Sequence, residues 1–418
     1  MTMRNYDGVI MPFGMTPELG LPAEASTLRQ LGAKWVVDYS SLNWAVAQPA
    51  QGASYNWYAA DQGVATTTSN GFNPILIITG TPGWAALDGS LNNGPIRDEN
   101  LGDFGAFVRA AVSRYSVSPY NVKYWMVYAE PDCHVRPGFP AGNGCYADWG
   151  ANPAEYAKAL QTAYNAVKAV DPGSKVVFGA LAYDSFYTDG GRHNPAFLDG
   201  VLNTPDGRHF DVLGFNYFAV FANVWAPYGV DILGKINALT AKLASYNLSK
   251  PMLVTESGQL GTWGDSSSLE MQAQYVPKLY ARGISAGLAS VIWYSSRDNG
   301  HSHGLMHDGT PKPAYYAYQT MTSILAEARY SRTLSAADVN LSGATADAFE
   351  GYAFRTLSGR KEVWVVWLNS DGGATISVPA GSLTVIDKLG QSSQVLAGPG
   401  GTASVQLTAS PIYLEMPR

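Results

Sequence analysis

The stretch VKYWMVYAEP (122–131) is apolar from Tyr124 to Ala129 and then ends in Glu130 and Pro131. An unbroken apolar run of this length reads as a strand buried on both faces, as in a parallel sheet covered by helices. Working outward, similar runs recur on both sides: GVIMPFG (8–14), AKWVVDY (33–39) and NPILIIT (73–79) before it, and KVVFGAL (175–181), FDVLGFNYF (210–218), PMLVTE (251–256) and ASVIWYS (289–295) after it. Between them lie segments with apolar residues at three- and four-residue spacing, such as NLGDFGAFVRAAVSRY and PAEYAKALQTAYNAVKAV, the latter stopped by DPGSK. Eight strands alternating with helices predict a (β/α)8 TIM barrel, with an open doubly wound sheet as the competitor.

The texture changes after PAYYAYQTMTSILAEARY (313–330). Short alternating strands follow, among them GYAFRT, KEVWVVWLN, ATISVPA and PIYLEMP, which read as a C-terminal β-sandwich. The sequence thus predicts a barrel over 1–328 and a sandwich over 329–418, the sandwich buttressing the barrel. The 418 residues carry a net charge of −6, and charged residues make up 14%. That balance argues against nucleic acid as a partner, because phosphate binding needs clustered Lys and Arg. No apolar stretch is long enough to span a bilayer, so no membrane association is expected. No G-x-G-x-x-G or G-x-x-x-x-G-K-[ST] follows the first strand, so no nucleotide or other cofactor is expected. The abundance of Trp, Tyr and Phe suits a surface that stacks sugar rings, and suits an aromatic core equally. Cys133 and Cys145 bracket a Pro- and Gly-rich loop. A disulfide there would imply an oxidising compartment, hence a secreted or periplasmic protein, although the N-terminal stretch lacks the plan of a signal peptide. Two free thiols, or a zinc site with His134, are the alternatives. A monomer or weak homo-oligomer is expected.

In a barrel, chemistry sits at the C-terminal ends of the strands. The fourth strand ends in Glu130 and the seventh in Glu256. A carboxylate closing an apolar run is costly unless it has partners or a task. Two such acids across a cleft are what a retaining glycosidase needs, one attacking the anomeric carbon and the other protonating the leaving oxygen, with the carboxyls about 5–5.5 Å apart. Burial and the second carboxylate would raise the acid's pKa. For each Glu the bland reading is a capping or salt-bridged structural acid.

These features resemble a clan A glycoside hydrolase, and within the clan the chain is most similar to family 39-like enzymes. The resemblance rests on LGAKWVVDYSSLNWAVAQPAQGASYNWYAAD, ILIITGTPGWA, VYAEPD and SVIWYSSRDNGHSHGLMHDGTPKPAYYAY, and spans essentially the whole chain. It implies Glu130 as acid/base, Glu256 as nucleophile, Trp293 as the aromatic platform under the sugar, and Asn216 or Tyr217 as the polar group beside the nucleophile. Two departures stand out. Ala129 occupies the place of the usual Asn before the acid/base, and Val37 and Asp38 end the second strand where an Arg is usual. Asn216, Tyr39 or Asn43 could take over contacts to the sugar 2-hydroxyl.

Trp84 and Trp44 are candidate substrate contacts near the barrel mouth. Trp149, Trp225 and Trp263 are weaker candidates for distal platforms, while Trp35, Trp364 and Trp367 read as core. His301 and His303, in the H-x-H-x3-H loop with His307, are candidates for bonding to sugar. A metal there is the lesser reading, so none is assigned. Arg297 and Asp298 suggest a local ion pair. The leading expectation is a retaining β-glycoside hydrolase on a carbohydrate substrate, mildly favoured as endo-acting on a β-linked oligo- or polysaccharide. An exo-acting β-xylosidase or β-glucosidase, an inactive hydrolase-like carbohydrate-binding protein, and an unrelated metal-dependent barrel enzyme are the alternatives.

Overall fold

The computed structural model describes residues 12–38, 42–88, 93–134, 145, 147–379 and 381–417. Eight parallel strands close into a barrel in sequence order: β1 (Phe13–Met15), β2 (Trp35–Asp38), β3 (Asn73–Ile78), β4 (Tyr124–Ala129), β5 (Lys175–Leu181), β6 (Val212–Phe218), β7 (Met252–Gly258) and β8 (Val291–Trp293). Helices lie between them: α1 (Leu21–Gln30), α2 (Trp44–Ala47), α3 (Tyr58–Ser69), α4 (Leu101–Tyr115), α5 (Pro153–Val170), α6 (Phe197–Leu202), α7 (Ala222–Trp225), α8 (Asp231–Ser245) and α9 (Ser266–Ser285). Closure around β1 and β8, paired through Gly14 and Ile292, excludes the open sheet.

The barrel interior is filled by side chains at every second strand position, including Trp35 and Val37, Ile75 and Ile77, Tyr124 and Met126, and Val177. Period-two alternation thus sends one set of each strand inward and the other toward the helices. On α4, Phe104, Phe107, Val108, Ala111 and Val112 form an i, i+3, i+4 stripe that is wholly buried.

After a short hairpin of β9 (Met306–His307) and β10 (Thr310–Pro311) and the helix α10 (Pro313–Leu325), eight antiparallel strands follow: β11 (Ala328–Leu334), β12 (Phe349–Thr356), β13 (Lys361–Leu368), β14 (Ala374–Pro379), β15 (Ser382–Asp387), β16 (Ser392–Leu396), β17 (Thr402–Leu407) and β18 (Ile412–Pro417). They form a six-stranded sheet, β11-β12-β13-β18-β15-β16, and a two-stranded sheet, β14-β17. Trp364, Val366, Ile376, Val378 and Leu414 belong to one apolar core that draws on strands of both sheets, as in a sandwich.

The chain divides into two compact units. One holds the segment up to Ala25, Lys34–Ser257 and Ala289–Trp293; the other holds Ser26–Ala33, Gly258–Leu288 and Tyr294–Arg418. Thus α9 and α10 cluster with the sandwich strands. Within that second unit Arg282 of α9 donates to both carboxylate oxygens of Glu350 on β12, at 2.8 and 2.7 Å, and both residues are buried. No described helix is long and apolar enough to cross a membrane.

Candidate active site

Glu130 reaches its position through an interruption of the β4–β5 ladder. Residues 124–127 of β4 pair in step with 175–178 of β5, and pairing resumes at Ala129 with Ala180. The skipped residue, Tyr128, has φ +58°. The Tyr156 hydroxyl from α5 fills the gap, donating to Val127 O and accepting from Gly179 N, both at 2.8 Å. Gly179 is required there, since a Cβ would lie 2.6 Å from Val127 O. The break resets the alternation. Tyr128 packs outward with its hydroxyl on Thr81 Oγ1, and Ala129 joins the barrel interior. Glu130 follows at φ +46°, its N–H donating to Ala180 O. Non-glycine residues at positive φ are uncommon and gather at functional sites.

On β6 the inward positions continue from Val212 to Asn216, which is 2% exposed. Its Nδ2 donates to Glu130 Oε1 at 3.0 Å. Its Oδ1 accepts from the Thr255 hydroxyl of β7 at 2.7 Å. Thr255 is followed by Glu256, within a bulge: Val254 pairs with Val291 and Ser257 with Trp293, so β7 carries one residue more than β8 here. A bulge re-aims side chains. Glu256 is half-buried, while Ser257 is buried and donates to Ile292 O at 2.7 Å. One hydrogen-bonded bridge therefore runs from the Glu130 carboxylate, through Asn216, to the residue adjoining Glu256.

The sequence did not single out His193, Asp132 or Lys235. His193 lies in the loop after β5, with Nε2 3.8 Å from Glu130 Oε2. Burial pushes the Glu130 carboxyl up, but His193 and the Asn216 amide more than offset this, so it sits below the usual carboxylate range. This corrects the expectation of a raised value: a cationic neighbour and an amide donor outweigh burial. Asp132 is buried and accepts the N–H groups of Ala182 (3.2 Å) and Tyr183 (2.8 Å), tying the turn after Glu130 to the end of β5. Burial raises its pKa. Lys235 of α8 is fully buried. It pairs with Asp184 at 2.9 Å and donates to the carbonyls of Ala182 and Asn216, holding the ends of β5 and β6 together.

Other expectations fare differently. Tyr217 points outward from β6, fully buried, with its hydroxyl on Asp231 at 2.6 Å; strand alternation excludes it from the interior that Asn216 occupies. Trp44 is fully buried, its Nε1 on Gln48 and its ring against Trp84, Phe104 and Phe107, so it offers a sugar no face. Trp293 is likewise 0% exposed. The next residue, Tyr294, is half-buried and lies in the second unit beside His301 and His303, at ring separations of 5.0 and 6.4 Å. Trp149 and Trp225 are buried, whereas Trp84 is half-buried and Trp263 is 45% exposed, stacked on His307. Trp35, Trp364 and Trp367 are buried, in keeping with core roles. Asn43 is committed to capping α2 through Val46 N. Tyr39 lies outside the described residues.

His301 and His303 are half-buried. Burial, with the nearby charges of His301 and Lys312, pushes His303 down to about 4, so it is neutral at pH 7. Asp298 is held by Lys312 (2.7 Å) and His307 (3.0 Å), a wider network than the local pair expected with Arg297. Among the described residues no group of three or more His, Cys, Asp or Glu is arranged to hold a metal ion. Cys133 and Cys145 form a disulfide, which closes the free-thiol and zinc alternatives.

No protein-family model and no curated protein matches the chain. Solved structures do. A family 39 glycoside hydrolase from the gut symbiont Bacteroides cellulosilyticus WH2 superposes with a TM-score of 0.71 at 20% identity, over 97% of this chain and 80% of that one. A monomeric β-xylosidase from Caulobacter crescentus CB15 gives 0.64 at 15% identity, over 98% and 97%. A family 30 endoxylanase from Clostridium papyrosolvens C71 gives 0.63 at 12% identity, over 98% and 97%. The chain shares the fold of these family 39 and family 30 glycoside hydrolases.

Proposed function

We propose that the chain is a retaining β-glycoside hydrolase, with Glu256 as nucleophile and Glu130 as acid/base. The observation that carries this is the bridge from Glu130 through Asn216 to Thr255, which ties the fourth and seventh strand ends to one place at the barrel mouth. In the first step Glu256 attacks the anomeric carbon while Glu130 gives its proton to the departing oxygen. In the second, Glu130 takes a proton from water, whose oxygen displaces Glu256, and the configuration is restored. The shared fold brings β-linked xylose polymers or oligomers forward as the substrate class, since similar structures are described as a β-xylosidase and an endoxylanase. Endo action remains the reading expected from the sequence. The burial of Trp44, Trp149 and Trp225 favours a second, exo-acting reading, because it removes three platforms from an extended groove. The Cys133–Cys145 bridge supports work in an oxidising compartment.

The test is a panel of 4-nitrophenyl and 2,4-dinitrophenyl β-glycosides, with NMR following the anomer first released. Retention is expected. Glu256→Gln should abolish turnover of both series. Glu130→Gln should cost 4-nitrophenyl substrates about 100-fold or more, the usual scale of acid catalysis, and spare the more activated leaving group at the first step. Inversion, or less than about tenfold loss in both variants, would contradict the assignment. Sugar binding without turnover would favour the inactive carbohydrate-binding reading.

A further inference from the structure

A carboxyl held below its ordinary range is a poor proton donor near neutrality, so the proposed acid needs a source for its proton. The only described imidazole in ion-pair contact with it is His193, at 3.8 Å and 6% exposed. The backbone of this histidine is fixed from both sides. His193 N donates to Ser185 O and Tyr187 N donates to His193 O. The flanking residues are sewn to the turn after Glu130: His134 N donates to Arg192 O, and Asn194 N to Asp132 O, both at 2.8 Å. The Asn194 amide further donates to Gly150 O at 2.6 Å. Neither ring nitrogen of His193 makes a hydrogen bond to a described residue. An approach of about 1 Å would bring Nε2 to hydrogen-bond distance of Oε2.

We propose that His193 is a positioning residue that shares one proton with Glu130 and returns it to that carboxylate for delivery to the leaving oxygen. The proposal rests on the hydrolase reading above. Before reaction the pair is a carboxylate and an imidazolium. The proton passes from Nε2 to Oε2, and Glu130 gives a proton to the glycosidic oxygen as the anomeric C–O bond breaks. This leaves a carboxylate and a neutral imidazole. Water then returns a proton to Glu130 as its oxygen attacks, and the pair is reset. The groups facing His193 fit this role. Glu130 at the end of β4, Asp132 in the following turn and Asp184 after β5 are acidic, while Arg192 in its own loop opposes them and Lys235 on α8 is engaged by Asp184. Burial alone would lower the imidazole's affinity for a proton, yet Glu130 and Asp132 hold it above the ordinary value. The alkaline limb of activity should then be set by loss of the pair's last proton, near or above neutrality, rather than by an isolated carboxyl.

The experiment is the pH profile of kcat/KM for His193→Gln, with His193→Asn as a second variant, on a 4-nitrophenyl and a 2,4-dinitrophenyl β-glycoside. The alkaline limb for the 4-nitrophenyl substrate should move acidward by about one unit, which is about tenfold in rate on that limb. The 2,4-dinitrophenyl substrate, whose departure needs no proton, should change by less than about threefold. A limb that stays in place overturns the proposal. NMR of the imidazole decides the matter without any His193 variant. His193 should titrate above about 6.5 in the native protein and fall toward or below that value in Glu130→Gln; an unmoved titration overturns the proposal. If Glu130→Gln shows no dependence on the leaving group, the hydrolase reading fails instead. If it does and His193→Gln keeps the native limb, only the present inference fails.

Discussion

Replacing Asn216 by Ala removes one side chain and two hydrogen bonds at once, and the consequences separate. The bond from Nδ2 to Glu130 Oε1, 3.0 Å long, favours the ionised carboxylate. A hydrogen bond to a charged group is worth about 1.5–3 kcal/mol. Glu130 retains some solvent contact, with its side chain 27% exposed, so the low end applies. At 1.36 kcal/mol per pKa unit, about 1.5 kcal/mol raises the Glu130 carboxyl by roughly one unit. In the His193→Gln background, where Glu130 holds the proton alone, the alkaline limb of kcat/KM should move up by about that much, whereas with His193 present the proton rests on the imidazole and the limb should move less. Asn216→Asp should move it further, because a second carboxylate against the first disfavours ionisation. The assay is kcat/KM for an aryl β-glycoside over the full pH range of the folded enzyme. In that background the order Asn, then Ala, then Asp at position 216 is the expected sequence of rising limbs. A limb that falls or stays still on adding Asn216→Ala to His193→Gln would refute the claim that this amide holds Glu130 ionised. The Thr255 hydroxyl is buried and loses its acceptor in the Ala variant, which should cost a further 1–3 kcal/mol or so of stability, read by thermal melting alongside.

Arg282→Ala should destabilise the unit containing α9 and the sandwich by about 3–5 kcal/mol, because it strands the buried Glu350 carboxylate; a loss under 1 kcal/mol in denaturant unfolding would count against it. Burial pushes the Glu350 carboxyl up, but Arg282, Asn369 and Tyr352 more than offset this and hold it below the ordinary value. Its contribution is therefore complete above the unfolded glutamate pKa and is lost as pH falls through the lower folded value. Acid titration of Glu350→Gln should lack that slope. Reducing the Cys133–Cys145 bridge, or replacing both cysteines by Ser, should cost about 3 kcal/mol by freeing a loop with ends 12 residues apart. A melting temperature unchanged by reductant would contradict that.

The sequence made the barrel readable because its strands are apolar on both faces, and the same property hid where the site residues point. Asn216 and Tyr217 are neighbours, and only the count from Val212 decides which of them faces inward. Thr255 and Glu256 could not be sorted even by counting, since the bulge in β7 adds a residue that no composition signals. The ladder break at Tyr128 likewise depends on a hydroxyl from α5, remote in the chain. Trp44 reads as a loop aromatic, yet Asn43 caps a single helical turn that folds it into the core. His193 lies in a connection without periodicity, and its partner is on another strand. Lys235 left one trace, a cation interrupting the apolar stripe of DILGKINAL, which marks a buried charge rather than a solvated one.

The most direct test adds azide to Glu130→Ala and Glu256→Ala with an activated aryl β-glycoside and reads the configuration of the glycosyl azide by NMR. If the two carboxylates flank one bond from opposite faces, the Glu130 variant yields the β-azide and the Glu256 variant the α-azide. The same anomer from both variants, or rescue of neither while the protein stays folded and binds the glycoside, would contradict the account.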